Sequence, residues 1–572
     1  MNKTLKVTIT TIFAAATGCA VTISAQSLKK DITVVHDYEP EYVEVSPMPV
    51  NPAVTLPADT VRQLNYSGRR VSVTPESGIT PLPSAPYADS IYTTPYRGYA
   101  ALGFMPKFNM AASAGYKILD TDRTRLNGWL QYDGAVYSNP APSLDHSGNL
   151  YVRRHTATLG AQLHQAVGRE SYIDLGGTYT YNRFNTPAFG DIDNQNANRV
   201  SVSGTWSSSH DRWNYGAGID YRYFGYGNSL RKDATIFRDY EYYPAASENM
   251  VALKAYGTYR VSSTVRAGLA FRYAYTGQDY GAVVTPDYYL VSAAGNRSYS
   301  LLTLTPKVRI ALKDIDFDLG ARIDAVLRDG GNKFHIAPAV KAVWSASKFT
   351  KLYVKATGGE WQNTLGSLFD VTPYTLPVMA YGSSHIPVEG AIGVSIGDWL
   401  GFHARIEGSY SIASHWLMPL DTYSDGTVFT SRKMKGYRVT VEAGYDYRGI
   451  VSFDASFSLA PQKSDQGYYL WRDRARYVTG ARLKVTPVKT LDLKIGWEYR
   501  GDRAEMKCDA YHNTWLYSIG SVNNLSAGAL YRITERWSAF LTGDNLLNHK
   551  HTLLGGMPAQ GVTGLVGATY KF

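Results

Sequence analysis

The sequence predicts an all-β protein: a transmembrane antiparallel β-barrel of about 22 strands, with 20 to 22 as its range, preceded by a Pro-rich N-terminal extension. Three observations carry this. Apolar and polar residues alternate with a period of two over segments of ten or more residues, the length a tilted strand needs to cross a bilayer. Aromatic residues, 45 tyrosines among them, gather toward the ends of those segments, as an interfacial girdle requires. Short and long connections also follow one another in turn, and no segment of useful length has the helical period.

Residues 1–25 read as a secretory signal peptide. Lys3 and Lys6 form a basic start, 7–20 a small-residue apolar core, and Ile23-Ser24-Ala25 a small-residue end before Gln26, so that cleavage is expected between Ala25 and Gln26. The core is shorter than the roughly 20 apolar residues of a spanning helix. Cys19 follows Ala16-Thr17-Gly18, where a lipidated cysteine would call for a branched or leucyl residue at Ala16, and it reads as filler of the signal core. Removing the signal leaves Cys508 as the only cysteine, which excludes an intramolecular disulfide and a cysteine-clustered zinc site. The net charge falls from +10 to +8 with Lys3 and Lys6 gone. No basic run exists, so nucleic acid is not an expected partner. Basic side chains near the rims suit membrane lipid and lipopolysaccharide phosphates.

Residues 26–97 are different material. Pro40, Pro47, Pro49, Pro52, Pro57, Pro75, Pro81, Pro83, Pro86 and Pro95 interrupt them, with little periodicity, and the segment reads as an extended periplasmic or lumen-lying stretch without a core of its own.

From Gly98 to the end, 98–572, the barrel pattern is almost continuous. Val265, Ala267, Leu269, Phe271, Tyr273 and Tyr275 alternate with Thr264, Arg266, Gly268, Ala270, Arg272 and Ala274. Phe317, Leu319, Ala321, Ile323, Ala325 and Leu327 alternate with Asp318, Gly320, Arg322 and Asp324, and the segments at 437–448 and 491–500 repeat the arrangement. One face suits lipid and the other water. Charge pairs such as Arg322 with Asp324 and Asp446 with Arg448 are assigned to the lumen. Short turns are expected at 120–123, 167–171, 208–212, 261–264, 312–315, 345–350, 396–399, 448–449, 486–490 and 533–537. Longer connections lie between them, including 185–198, 226–248, 277–296, 358–384, 416–427 and 461–472. Short periplasmic turns and long extracellular loops alternate in this way. The turns give 21 strands from about Phe108, and a chain that starts and ends on the periplasmic side needs an even number, which makes 98–105 a further strand. The segment 358–384 could hide another hairpin.

The last twelve residues put Val562, Gly564, Val566, Ala568, Tyr570 and Phe572 on one face, and Tyr570 and Phe572 read as a C-terminal signal for the barrel assembly machinery. Before them stands Asn545-Leu546-Leu547-Asn548. This element, followed by a closing strand that ends on an aromatic, resembles the C-terminus of TonB-dependent receptors. The resemblance implies a barrel of 22 strands. It also points to Asp31, Ile32, Thr33, Val34 and Val35 as a segment similar to a TonB box, which pairs as a strand with TonB. Such receptors carry a larger globular plug between box and barrel, where this chain has only the Pro-rich segment, and a missing plug would put energy-driven uptake in doubt. The signal ending, the abundant tyrosine and the long loops resemble Bacteroidota proteins, in which receptor-like barrels work beneath surface lipoproteins.

Candidate chemistry is sparse. His335, His385, His403 and His415 are near one another in sequence, but alternation alone does not bring His335 and His385 to one site. His512, His549 and His551, with Asp509 and Asp544 nearby, fall in or beside loops and read as polar loop residues. No nucleophile triad, paired carboxylates or phosphate loop stands out, so no enzyme activity, cofactor, catalytic residue or metal site is expected. The function that follows is passage of a solute across the outer membrane of a Gram-negative bacterium, with the Pro-rich segment as a small stopper. The alternative is a scaffold or partner subunit of an outer-membrane assembly.

Overall fold

The computed structural model describes residues 96–572, apart from 106–108, 141–148, 187–191, 228–229, 233–240, 244–245, 281–294, 329–330, 376–381, 423–425, 465–468, 471–474, 509–513 and 554–556. The signal cleavage site Ala25–Gln26, the segment Asp31 to Val35 and the Pro-rich stretch lie outside the described residues, as do Asp509 and His512.

One antiparallel sheet closes on itself. Of its 25 strands, three short ones (Gln462–Ser464, Tyr469–Leu470 and Thr514–Ser518) extend the wall at the loop end, and the other 22 are the staves. In chain order they are β1 (Gly98–Met105), β2 (Asn109–Asp120), β3 (Thr124–Pro140), β4 (Asn149–Ala166), β5 (Ser171–Thr186), β6 (Ile192–His210), β7 (Trp213–Tyr226), β8 (Ser247–Arg260), β9 (Val265–Tyr280), β10 (Gly295–Ala311) and β11 (Ile315–Arg328). The second half is β12 (Lys333–Ser345), β13 (Thr350–Trp361), β14 (Ser384–Trp399), β15 (Phe402–Thr422), β16 (Gly426–Tyr447), β17 (Val451–Leu459), β18 (Ala475–Val488), β19 (Leu491–Cys508), β20 (Val522–Arg532), β21 (Trp537–Asp544) and β22 (Thr563–Lys571). Each pairs with its neighbour, and β1 closes the ring on β22 from Tyr99↔Lys571 to Phe104↔Val566. Closure leaves no edge for another chain to extend, and it lets the ladder groups of the spanning region pair inside the wall.

Alternation has its expected physical consequence. Leu159, Ile219, Leu269, Leu319, Ile336, Ile392, Ile406, Ile495 and Val566 stand on the outer face, and Ile392 and Val566 each keep 63% of their surface exposed. A continuous apolar belt of this kind is covered by lipid. At the turn end the aromatics form the inferred girdle: Trp537 lies against Tyr570 at 4.6 Å between ring centres, and Phe572 stacks on both Tyr570 and Tyr116 at 6.0 Å. The tight turns fall where sequence placed them, and Gly98–Met105 is a strand. Two details differ. The β14–β15 turn sits at Leu400-Gly401, both with positive φ, because β14 runs on to Trp399 past a register shift. Arg448 is no lumen charge: it is itself a turn residue with φ 53°, its guanidinium lies over Tyr447, and Asp446 accepts the N–H of Gly449 at 2.8 Å.

The long connection between β13 and β14 contains no hairpin among its described residues. It carries one short helix, α1 (Leu365–Val371), which begins at Thr364 with a reciprocal capping box: Ser367 N–H donates to the Thr364 hydroxyl and Thr364 N–H to the Ser367 hydroxyl.

Candidate functional site

The connection that carries α1 turns into the barrel instead of outward. Lumen faces of transmembrane barrels are polar, yet Phe184 on β5, Ala197 on β6, and Phe224 and Tyr226 on β7 are buried and apolar on the inward-pointing side. The reason is α1: Leu365 and Phe369 complete this cluster, Phe369 lies 5.2 Å from the Phe224 ring and 5.7 Å from that of Phe184, and Tyr374 packs beside them. Farther along, Leu368 meets Phe429 of β16, while Tyr374 reaches Val152 of β4 and Met557 of the β21–β22 loop.

Polar contacts fix the same segment around the lumen. The Glu248 carboxylate on β8 accepts the Leu365 N–H at 2.9 Å, where α1 leaves its first amides without intrahelical partners. Arg199 on β6 donates to the Gly366 carbonyl at 2.9 Å and to Asp370 at 2.7 Å. Arg272 on β9 donates to Gln362 at 2.8 Å, and Tyr299 on β10 to the Asn363 carbonyl at 2.7 Å. The Thr427 N–H of β16 donates to the Tyr374 carbonyl at 3.1 Å. Residues 362–375 are therefore tied to widely separated staves, and they narrow the loop end of the lumen.

At the foot of this segment lies a second feature. His335 on β12, Glu360 on β13 and His385 on β14 converge: their ligand-type atoms all lie within 4.8 Å of one another, and the two imidazoles stack with 3.8 Å between ring centres. His335 Nε2 and His385 Nδ1 each stand 3.2 Å from a Glu360 oxygen. This corrects the sequence reading, which kept His335 and His385 apart. The next stave adds His415, the cross-strand partner of His385, so residues of four adjacent strands share one patch of lumen wall. His403 does not belong to it: it sits at the turn end of β15, 3.1 Å from Asp454.

Glu360 reaches the lumen through a bulge. Along β13, Leu352 and Val354 belong to the lipid-facing set, which would send Glu360 outward too. From Thr357↔Glu389 to Gly359↔Ile386 β13 advances two residues and β14 three, so the extra residue of this bulge lies on β14 and the break in alternation along β13 falls at Gly359. Gly359 adopts φ +128°, and a Cβ there would lie 2.5 Å from Arg322 and 2.6 Å from Asp324. Only glycine fits that conformation and that space. Asp324, fully buried, accepts from the Glu360 N–H at 2.8 Å, from Thr303 at 2.6 Å and from Arg322, while Arg322 also donates to the Glu360 carbonyl. The Arg322–Asp324 pair thus does more than shape the interior. The signal that could have revealed the site was Gly358-Gly359 inside a strand pattern, the mark of a bulge.

The Asn545–Asn548 element is a turn built on left-handed backbone, with φ 48° at Asn545 and 50° at Asn548, a region asparagine tolerates well. Asn545 Oδ1 accepts the His549 N–H at 2.9 Å, its amide donates to the carbonyls of His549 and Gln560, and Asn524 accepts the Asn545 N–H at 2.8 Å. Burial, with Arg503 adding repulsion, holds the His551 imidazole down at about 4, so it is neutral at ordinary pH. Its ring stacks with that of His549 at 6.2 Å.

No protein-family model matches the chain, and no curated protein does. Solved structures do. The ferripyoverdine receptor of the outer membrane of Pseudomonas aeruginosa superimposes with a TM-score of 0.62 at 12% identity, covering 83% of this chain and 72% of that one. The ferric enterobactin receptor from Pseudomonas aeruginosa gives 0.62 at 12%, covering 83% and 80%. The copper transporter OprC gives 0.63 at 12%, covering 83% and 81%. At this identity the likeness is one of fold. The chain thus has the fold of these outer-membrane receptors, a closed antiparallel β-barrel of 22 strands.

Proposed function

We propose that the barrel passes a polar solute across the outer membrane, through a lumen whose loop end is narrowed by residues 362–375. The observation that carries this reading is the inward helix with its fitted apolar seat on β5 to β7. Three staves give up the usual polar lumen lining to hold it, which an unselective open pore would not require. The fold shared with outer-membrane receptors and a copper transporter supports a transport role. Below the constriction the wall is charged: Glu407 accepts from Tyr353 at 2.6 Å and from Arg405 at 2.6 Å, and Lys355 lies 3.2 Å from it, so a hydrated path remains polar.

Planar-bilayer conductance tests the reading with three tag-free proteins: the mature chain, a chain lacking 26–96, and a chain in which 363–375 is replaced by a short Gly-Ser linker. Large steps in the linker variant with small or no steps in the mature chain support the proposal. Steps appearing on removal of 26–96 alone would make the N-terminal segment the stopper, as its Pro-rich sequence suggests. Conductance in none of the three would overturn passive passage and favour the scaffold role.

A further inference from the structure

We propose that His335, Glu360 and His385 bind one divalent transition-metal ion at the foot of the inward segment. The inference stands apart from the transport reading, because it rests on the donor set alone. Two imidazoles and a carboxylate are borderline ligands that suit Zn²⁺, Cu²⁺ and Ni²⁺ better than Ca²⁺ or Mg²⁺, which favour oxygen.

Three observations support a built site. The donor atoms converge within 4.8 Å, compatible with an ion at about 2.0–2.2 Å from each after small side-chain rotations. Glu360 and His385 are almost wholly buried, and Glu360 Oε2 and His385 Nδ1 are left without a partner of full hydrogen-bond geometry: Nδ1 stands 3.2 Å from Glu360 Oε1, and Ser383 is the other side chain that interacts with the carboxylate. Buried polar atoms without partners are costly, and an ion shared by both would satisfy them. Finally, the Glu360 backbone is held on both sides, its N–H by Asp324 and its carbonyl by Arg322, the outer support that orients metal ligands. Glu360 lies just ahead of residues 362–375 and His385 follows soon after them, so an ion joining the two fixes both ends of the inward segment.

The test is equilibrium dialysis of tag-free mature protein in detergent against Zn²⁺ and, separately, Cu²⁺, with metal counted by elemental analysis. One equivalent is expected, weakened at least about tenfold by His335→Ala, His385→Ala or Glu360→Gln and unchanged by His403→Ala. No stoichiometric metal in the mature protein, or unchanged binding in the three site variants, overturns the proposal. Should a site variant fail to fold, the electron paramagnetic resonance spectrum of the mature protein with one equivalent of Cu²⁺ decides. Coupling to two or more nitrogens supports the site, and an all-oxygen spectrum overturns it. Metal binding without conductance in the linker variant would leave this site standing and remove only the transport reading.

Discussion

The Asp324 carboxylate on β11 accepts the backbone N–H of Glu360 on β13 at 2.8 Å, reaching across the intervening strand. That bond holds the bulge at Gly359, and the bulge decides that Glu360 points into the lumen rather than toward lipid. A wall residue thereby positions a neighbour it does not pair with in the sheet.

Asp324→Ala is expected to destabilise the barrel by about 3–5 kcal/mol, because it leaves the Arg322 guanidinium buried without its carboxylate. The temperature at which the folded band disappears from heat-modifiable gels should fall, and guanidinium unfolding followed by tryptophan fluorescence should give the size.

Gly359→Ala acts on the same bulge from the other strand. With φ +128° and Arg322 2.5 Å from the new Cβ, the backbone must move, at about 1–3 kcal/mol for the strained conformation alone. Gly390→Ala, at a position with nothing within 4 Å, is the matched control and should be close to neutral in the same unfolding measurement.

Phe369→Ala removes the ring that α1 places between Phe184 and Phe224 and should weaken docking of the inward segment by about 3–5 kcal/mol. Since the barrel wall itself is untouched, global unfolding should change little. Faster proteolysis within 362–383 and noisier single-channel current are the expected readouts, and unchanged cleavage would show that the polar ties alone hold the segment.

His551 makes the β21–β22 loop sensitive to acid. Its folded value of about 4 lies below the ordinary 6.5, so the opened loop binds more protons than the closed one between those values. The loop's stability is therefore full above pH 6.5 and declines as pH falls toward 4, by at most on the order of 3 kcal/mol. Hydrogen exchange of the 545–562 amides at pH 7 and pH 4.5 should show the loss, and His551→Gln should abolish most of the difference.

Ile392→Arg, on the lipid face of β14, should cost about 2–4 kcal/mol if the residue lies near the bilayer centre. Refolding yield into lipid vesicles compared with that of Ile392→Val would measure it, and equal yields would place this part of β14 outside the hydrocarbon region.

Much of the molecule was legible in the sequence because a barrel strand is specified locally. The period of two at 265–275 and 317–328 names the lipid and lumen faces, and the tight turns between strands can be counted. The candidate site was not legible, because it depends on relations across the wall. His335 and His385 meet only through the register of three strands, and Glu360 faces them only through a one-residue bulge that counting by twos does not see. The inward course of α1 depends on Phe184, Ala197, Phe224 and Tyr226, which occupy lumen positions on three separate strands. Alternation fixes which side of a strand each residue takes, while pairing register and a single bulge decide which residues become neighbours.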